Sequence, residues 1–95
     1  RNTYLNAAER QAALILSKSV FLGQKLVAEG EKNADKVVAM MKANIETEPL
    51  AKIDYVSAVD GVTMTPVHTI DGCTLVAMAV YIGKTRLIDN FIVEE

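Results

Sequence analysis

From Cys73 to Ile82 the chain reads Cys-Thr-Leu-Val-Ala-Met-Ala-Val-Tyr-Ile, without a charge, a glycine or a proline. Odd and even positions are apolar alike, so a strand built from this run has no face that prefers water. Thr74 to Ile82 is therefore expected to be the most buried strand of the chain and the centre of a sheet. At about ten residues the run is too short to cross a bilayer as a helix, which takes about 20.

The segments around this strand divide by period. Asn6-Ala7-Ala8-Glu9 has the form of a capping box, in which Asn6 accepts from the Glu9 backbone N–H and the Glu9 carboxylate reaches back. Beyond it Ala13, Leu16, Val20, Gly23 and Val27 recur at steps of three and four, which predicts one inward face of a helix. Arg10, Gln11, Ser17, Lys18, Gln24 and Lys25 take the opposite face, and Gly30 supplies a stop. A second helix is expected from a cap at Asn33, with Val37, Val38, Met41 and Ile45 inward, ending before Pro49. At this spacing the Met40-Met41 pair reads as core packing. Ile53 to Asp60 alternates and ends in the turn pair Asp60-Gly61, and Gly83-Lys84-Thr85 turns the chain into a last strand, Arg86 to Val93. Val62 to Gly72, with Pro66 and Asp71-Gly72, is an irregular crossing. The predicted class is α+β: two N-terminal helices packed on a three-stranded antiparallel sheet, one domain over residues 1–95.

Composition and motif arithmetic exclude several chemistries. A net charge of −2 with scattered Lys and Arg argues against nucleic acid as a partner. One cysteine, Cys73, forms no internal disulfide and reads as a small buried hydrophobe. With one histidine, His68, and no second cysteine, the chain lacks a metal-ligand pattern. Gly83-Lys84-Thr85 is no phosphate loop: Met78 stands where that motif needs its first glycine, and both flanks are strand. Ser17, Ser19 and Ser57 have no histidine in reach, and Asp54, Asp60 and Asp71 lie in strands and turns, where Asp commonly satisfies backbone donors. No complete active site can be assembled from these residues.

What remains is a small charged set. Arg86 and Asp89, three apart on one strand, face opposite sides of it, so one points toward the helices. With Lys84 they are the candidate lid or structural polar residues, an ion-pair or hydrogen-bond role being favoured for Arg86 and Asp89 over direct substrate contact. Asn90 terminates pairing or fixes a turn, and Asn2 and Tyr4 anchor the opening segment. Arg1 alone reads as a solvated terminal residue.

The ends of the chain carry a further signal. Arg1-Asn2-Thr3-Tyr4-Leu5 and Gly83-Lys84-Thr85-Arg86-Leu87-Ile88-Asp89-Asn90 resemble segments of the C-terminal domain of the pantothenate synthetase (pantoate–β-alanine ligase) family. In that family a Met-Ser-Ser-Arg-Asn-x-Tyr-Leu segment opens the domain. Glu9-Arg10, Ile53-Asp54-Tyr55-Val56, Val59-Asp60, Pro66-Val67, Ile70-Asp71-Gly72 and Leu75 to Val80 follow the family's order, so the resemblance runs through the whole chain. Thr63-Met64-Thr65 and Tyr81 depart from it at loop and strand-surface positions.

The resemblance implies an ATP-dependent ligase that makes a pantoyl adenylate with release of pyrophosphate, then couples it to β-alanine to give pantothenate and AMP. It implies that Arg1 contacts ATP and that this domain is a lid over a cleft in an N-terminal ATP-binding domain, which is the chain's expected partner. ATP and Mg2+ belong to the full-length enzyme, and this chain alone is expected to bind neither and to be inactive. The whole enzyme is expected to be a cytoplasmic homodimer without membrane or nucleic-acid partners. The start at Arg1, without an initiator Met, reads as a cut from something larger. A stand-alone α+β interaction or small-ligand-binding module is the competing reading, and a domain that mainly mediates self-association is a third.

Overall fold

The computed structural model describes residues 6–94. Its elements are α1 (Ala7–Ala28), α2 (Ala34–Glu46), β1 (Ala51–Asp60), β2 (Thr74–Ile82) and β3 (Thr85–Val93). The strands form one antiparallel sheet in the order β1-β2-β3, and both helices pack on one of its faces. The apolar run is the central strand, as its two-faced pattern requires.

Local chemistry sets the boundaries. Asn6 Oδ1 accepts from the Glu9 N–H at 2.8 Å and Glu9 Oε1 accepts from the Asn6 N–H at 3.2 Å, which closes the capping box. At the other end of α1, Gly30 has φ 102°; its N–H donates to the Val27 carbonyl and the Glu31 N–H to that of Leu26. That pair of bonds is a Schellman stop, and it needs a residue that tolerates positive φ. Asn33 caps α2 by accepting from the Lys36 N–H at 3.1 Å. β1 begins at Ala51, two residues before the expected Ile53, because β2 is long enough to pair Ala51 with Ile82.

The buried line of α1 runs through Ala12, Leu16, Ser19 and Gly23 rather than through Ala13, Val20 and Val27. Those three are half-buried and flank the core. The shift follows from two contacts the periodicity does not encode. Ser19 Oγ accepts from Asn44 Nδ2 of α2 at 2.9 Å, so a polar residue satisfies itself at full burial. Gly23 lets Met41 and the Phe91 ring approach the helix backbone. A Cβ at position 23 would stand 2.7 Å from Met41 Sδ and 2.9 Å from Phe91 Cε1. Gly23→Val is therefore expected to destabilise the fold by roughly 2–3 kcal/mol, since overpacking outweighs the roughly 0.4 kcal/mol of helix propensity gained. Thermal denaturation checks it, and a melting point unchanged from the parent would refute this account of the helix–sheet contact.

The core gathers Val37, Met41 and Ile45 of α2 against Val76, Met78, Val80 and Ile82 of β2, all fully buried. Each contributes about 1.5–3 kcal/mol of transfer free energy. Met40, next to Met41, is instead exposed, so the pair divides between core and surface. Val38, expected inward, is half-buried at the margin, and Ala34 takes the fully buried place. The crossing 62–72 contains turns and isolated bridges. It runs back under the start of α2: the Ala34 N–H donates to the His68 carbonyl at 2.9 Å and the Ile70 N–H to that of Lys32 at 2.7 Å, which buries Ile70. Cys73 is half-buried, its thiol lying against Gly61. Among the described residues no helix is long and apolar enough to cross a membrane.

Candidate functional site

Of the polar residues singled out in the sequence, Lys84 and Arg86 stand at the end of the molecule where α1 begins and β2 turns into β3, while Asp89 pairs with Met78 at the middle of the sheet. Ile82 and Thr85 pair across the two-residue turn Gly83-Lys84, and Gly83 opens it with φ 62°. Positive φ at the first turn position alone is the geometry of a type II′ hairpin. The missing side chain has a second use: a Cβ on Gly83 would collide with Glu9 Oε2. The hairpin is thus seated on the first turn of α1, through the carboxylate that closes the capping box, and Lys84 projects from this junction exposed to solvent. Arg1, with Asn2 and Tyr4, lies outside the described residues and stands only a few residues before the Asn6 cap.

Arg86 and Asp89 do take opposite faces of β3, and each finds a different environment. Arg86 points away from the helices. Its Nε donates to Asp54 Oδ2 at 3.0 Å, reaching across β2 to β1, and its Cζ lies 5.9 Å from the centre of the Tyr55 ring. Asp54 is available there because the β1–β2 register shifts between Ile53 and Tyr55, a local bulge that re-aims the strand. With both side chains 40% exposed, the pair contributes at most about 1 kcal/mol. Its geometric effect is larger: the guanidinium is held by one nitrogen and by the ring, while its terminal nitrogens have no partner among the described residues.

Asp89 lies on the helix side of β3, half-exposed, and its Oδ1 accepts from the Asn90 N–H at 2.8 Å. It lines a groove of about 430 Å³ between α1 and β3 together with Arg10, Leu14, Ser17 and Ile88. Asp54, Tyr55 and Arg10 were not among the expected site residues. Asp54 and Arg86 are 32 residues apart, and only the strand register brings them together. Arg10 reads correctly as an outward helix position, but the sequence does not say that this flank of α1 borders β3.

The remaining titratable groups organise turns rather than a site. Asp60 accepts the backbone N–H groups of Thr63 and Val62, which hold its carboxyl below the usual range. Glu31 is lowered by the Asn33 backbone N–H and by Lys36. His68, in the irregular crossing, is 84% exposed and its Nδ1 lies 2.9 Å from Asp35 Oδ2, so it pairs at the surface. Neither member of that pair hydrogen-bonds a hydroxyl or thiol in the described structure. Among the described residues no group of three or more His, Cys, Asp or Glu stands close enough to hold a metal ion.

Comparison with known proteins gives a consistent match. The family described as pantoate-beta-alanine ligase matches residues 1–92. A pantothenate synthetase of Ruminiclostridium cellulolyticum is 59% identical over 91 residues, which are 96% of this chain and 32% of that protein. That of Clostridioides difficile is 51% identical over 94 residues, 99% of this chain and 33% of the relative. The crystal structure of pantothenate synthetase from Thermus thermophilus superposes with a TM-score of 0.86 at 21% identity, over 95% of this chain and 32% of that one. At that identity the likeness shows the fold: two helices on a three-stranded sheet. The chain spans about a third of the length of the curated relatives it matches.

Proposed function

The chain belongs to the pantoate–β-alanine ligase family, and from that premise we propose that it is the C-terminal lid domain of a pantothenate synthetase. The observation that carries this reading is the match through residues 1–92 with proteins about three times as long. In the proposed reaction a pantoate carboxylate oxygen attacks the α-phosphorus of ATP, and pyrophosphate leaves with the bonding electron pair. The β-alanine amine then attacks the acyl carbon, AMP leaves, and the amine gives up a proton.

This chain's part is electrostatic and steric. Arg1 would grip the phosphates bidentately and keep its charge at any working pH, offsetting the negative charge that builds on the departing pyrophosphate. The folded domain would close over the cleft and keep water from a hydrolysable adenylate. The described residues fit a lid better than a complete nucleotide site. They offer cations at one end (Lys84, Arg86, Arg10) but no glycine-rich phosphate cradle, and no acidic cluster for Mg2+, which would travel on the nucleotide. The residues that hold ATP and pantoate then belong to an N-terminal domain of the same polypeptide, the domain through which the cytoplasmic enzyme would dimerise.

The direct test is an assay of the full-length protein with pantoate, β-alanine, ATP and Mg2+. Equal amounts of pantothenate and AMP are expected. ATP consumption that yields ADP, or no pantothenate, would overturn the proposal.

A further inference from the structure

We infer that the helix-free face of the sheet is the surface through which this lid docks on the ATP-binding domain of its own polypeptide. The inference rests on the lid reading and adds which face does the work.

Antiparallel sheets that meet water on one side carry polar residues there. This one does not. The register places Tyr55, Val59, Leu75, Ala77, Ala79, Tyr81, Ile88 and Ile92 on the face opposite the helices. Its polar interruptions are Ser57 and Asn90 in the middle and, at the hairpin end, Lys52 and the Arg86–Asp54 pair. Ile88 and Ile92 hold two outward positions of the edge strand β3, and each is 59% exposed. Small residues run down the middle, Ala77 and Ala79, between Tyr55 and Ile88 across one row and Ser57 and Asn90 across the next. The result is a shallow apolar trough bounded by an unpaired strand edge, a surface that isolated proteins keep covered or charged.

The occupant follows from the length and entry point of the rest of the protein. About two thirds of the relatives' length lies outside the matched part. In the lid reading that portion joins through Arg1 and so arrives at the Asn6 cap, where Glu9 lies against Gly83 of the hairpin. The outer face starts at that hairpin with the Tyr81–Arg86 pair. From the first turn of α1 the surface is also continuous round the strand edge, because Arg10, Leu14 and Ile88 line one groove. Arg86 gives the contact its polar anchor: with Nε held by Asp54, its terminal nitrogens are oriented for a carboxylate on the docking domain.

The experiment uses the full-length ligase carrying Ile88→Lys and Ile92→Lys together. Val62→Lys, at an 81% exposed position near the opposite end of the sheet, is the control. The double variant is expected to lose about tenfold or more in kcat through misplaced closure, and its β3 amides should exchange faster. Its sedimentation should match the parent, and the control should change none of these. Dissociation of an oligomer in the double variant would assign the face to a second copy and overturn the inference. So would unchanged kcat and exchange in the double variant while Arg1→Ala slows adenylation, an outcome that leaves the lid reading standing. If Arg1→Ala is also without effect, both fall.

Discussion

Purified alone, the 95-residue chain is expected to form no pantothenate from pantoate, β-alanine and ATP, and to catalyse no ATP–pyrophosphate exchange. Two-substrate ligation depends on holding the reactants in line, and such positioning is equivalent to effective concentrations of about 10⁵–10⁸ M. A lid by itself provides none of this. Among the described residues the groove between α1 and β3 is open to solvent, and no second wall faces the cations at the hairpin end. The described residues contain no nucleophile hydrogen-bonded to a base, and the His68–Asp35 pair stands at the surface beside the start of α2. Among the described residues the core closes around Met41, Ile45 and Met78 and no buried side-chain polar atom is left unpaired. Inactivity should therefore coincide with a cooperative melting transition. Pantothenate above the uncatalysed background, detected by mass spectrometry with the folded chain, would sink the prediction and with it the division of labour between two domains.

The elements were readable because their signals are local. Capping at Asn6 and Asn33, the stop at Gly30 and the Gly83-Lys84 turn each depend on a few adjacent residues whose backbone demands are specific. The centre of the sheet was readable because only β2 is apolar at both parities. What stayed hidden depends on contacts between elements. The inward line of α1 is displaced because Asn44 satisfies Ser19 and because Met41 and Phe91 fill the space over Gly23, none of which is a property of α1 alone. The partner of Arg86 was invisible for the same reason. A bulge at Asp54 changes the parity of β1, and a one-residue change of parity decides which side chains share a face. The candidate site was legible only in part: residue types and strand faces could be read, but the joining of the hairpin to the first turn of α1 through Glu9 needed the folded chain. Arg1 drew its significance from family resemblance, since no spacing or composition distinguishes it from any terminal arginine.

Arg1→Ala in the full-length enzyme is expected to slow adenylation by about 10²–10³-fold, the usual cost of removing one preorganised group from a developing negative charge. Arg1 precedes the Asn6 cap in sequence, and Asn6 and Glu9 make both bonds of the capping box between themselves. The melting temperature should accordingly stay where it was, which separates lost chemistry from lost folding. The step affected can be read from the assay used. ATP–pyrophosphate exchange reports adenylation alone, so it should fall as far as overall pantothenate synthesis. Coupling of preformed pantoyl adenylate to β-alanine should be much less affected, because pyrophosphate has already left. Arg1→Lys tests the geometry: a lysine restores the charge but not the two-pronged hydrogen bonding, so recovery should be partial. Full recovery would mean that charge alone is used at this position. An unchanged exchange rate in Arg1→Ala would remove Arg1 from the reaction and leave the proposed lid without its phosphate contact.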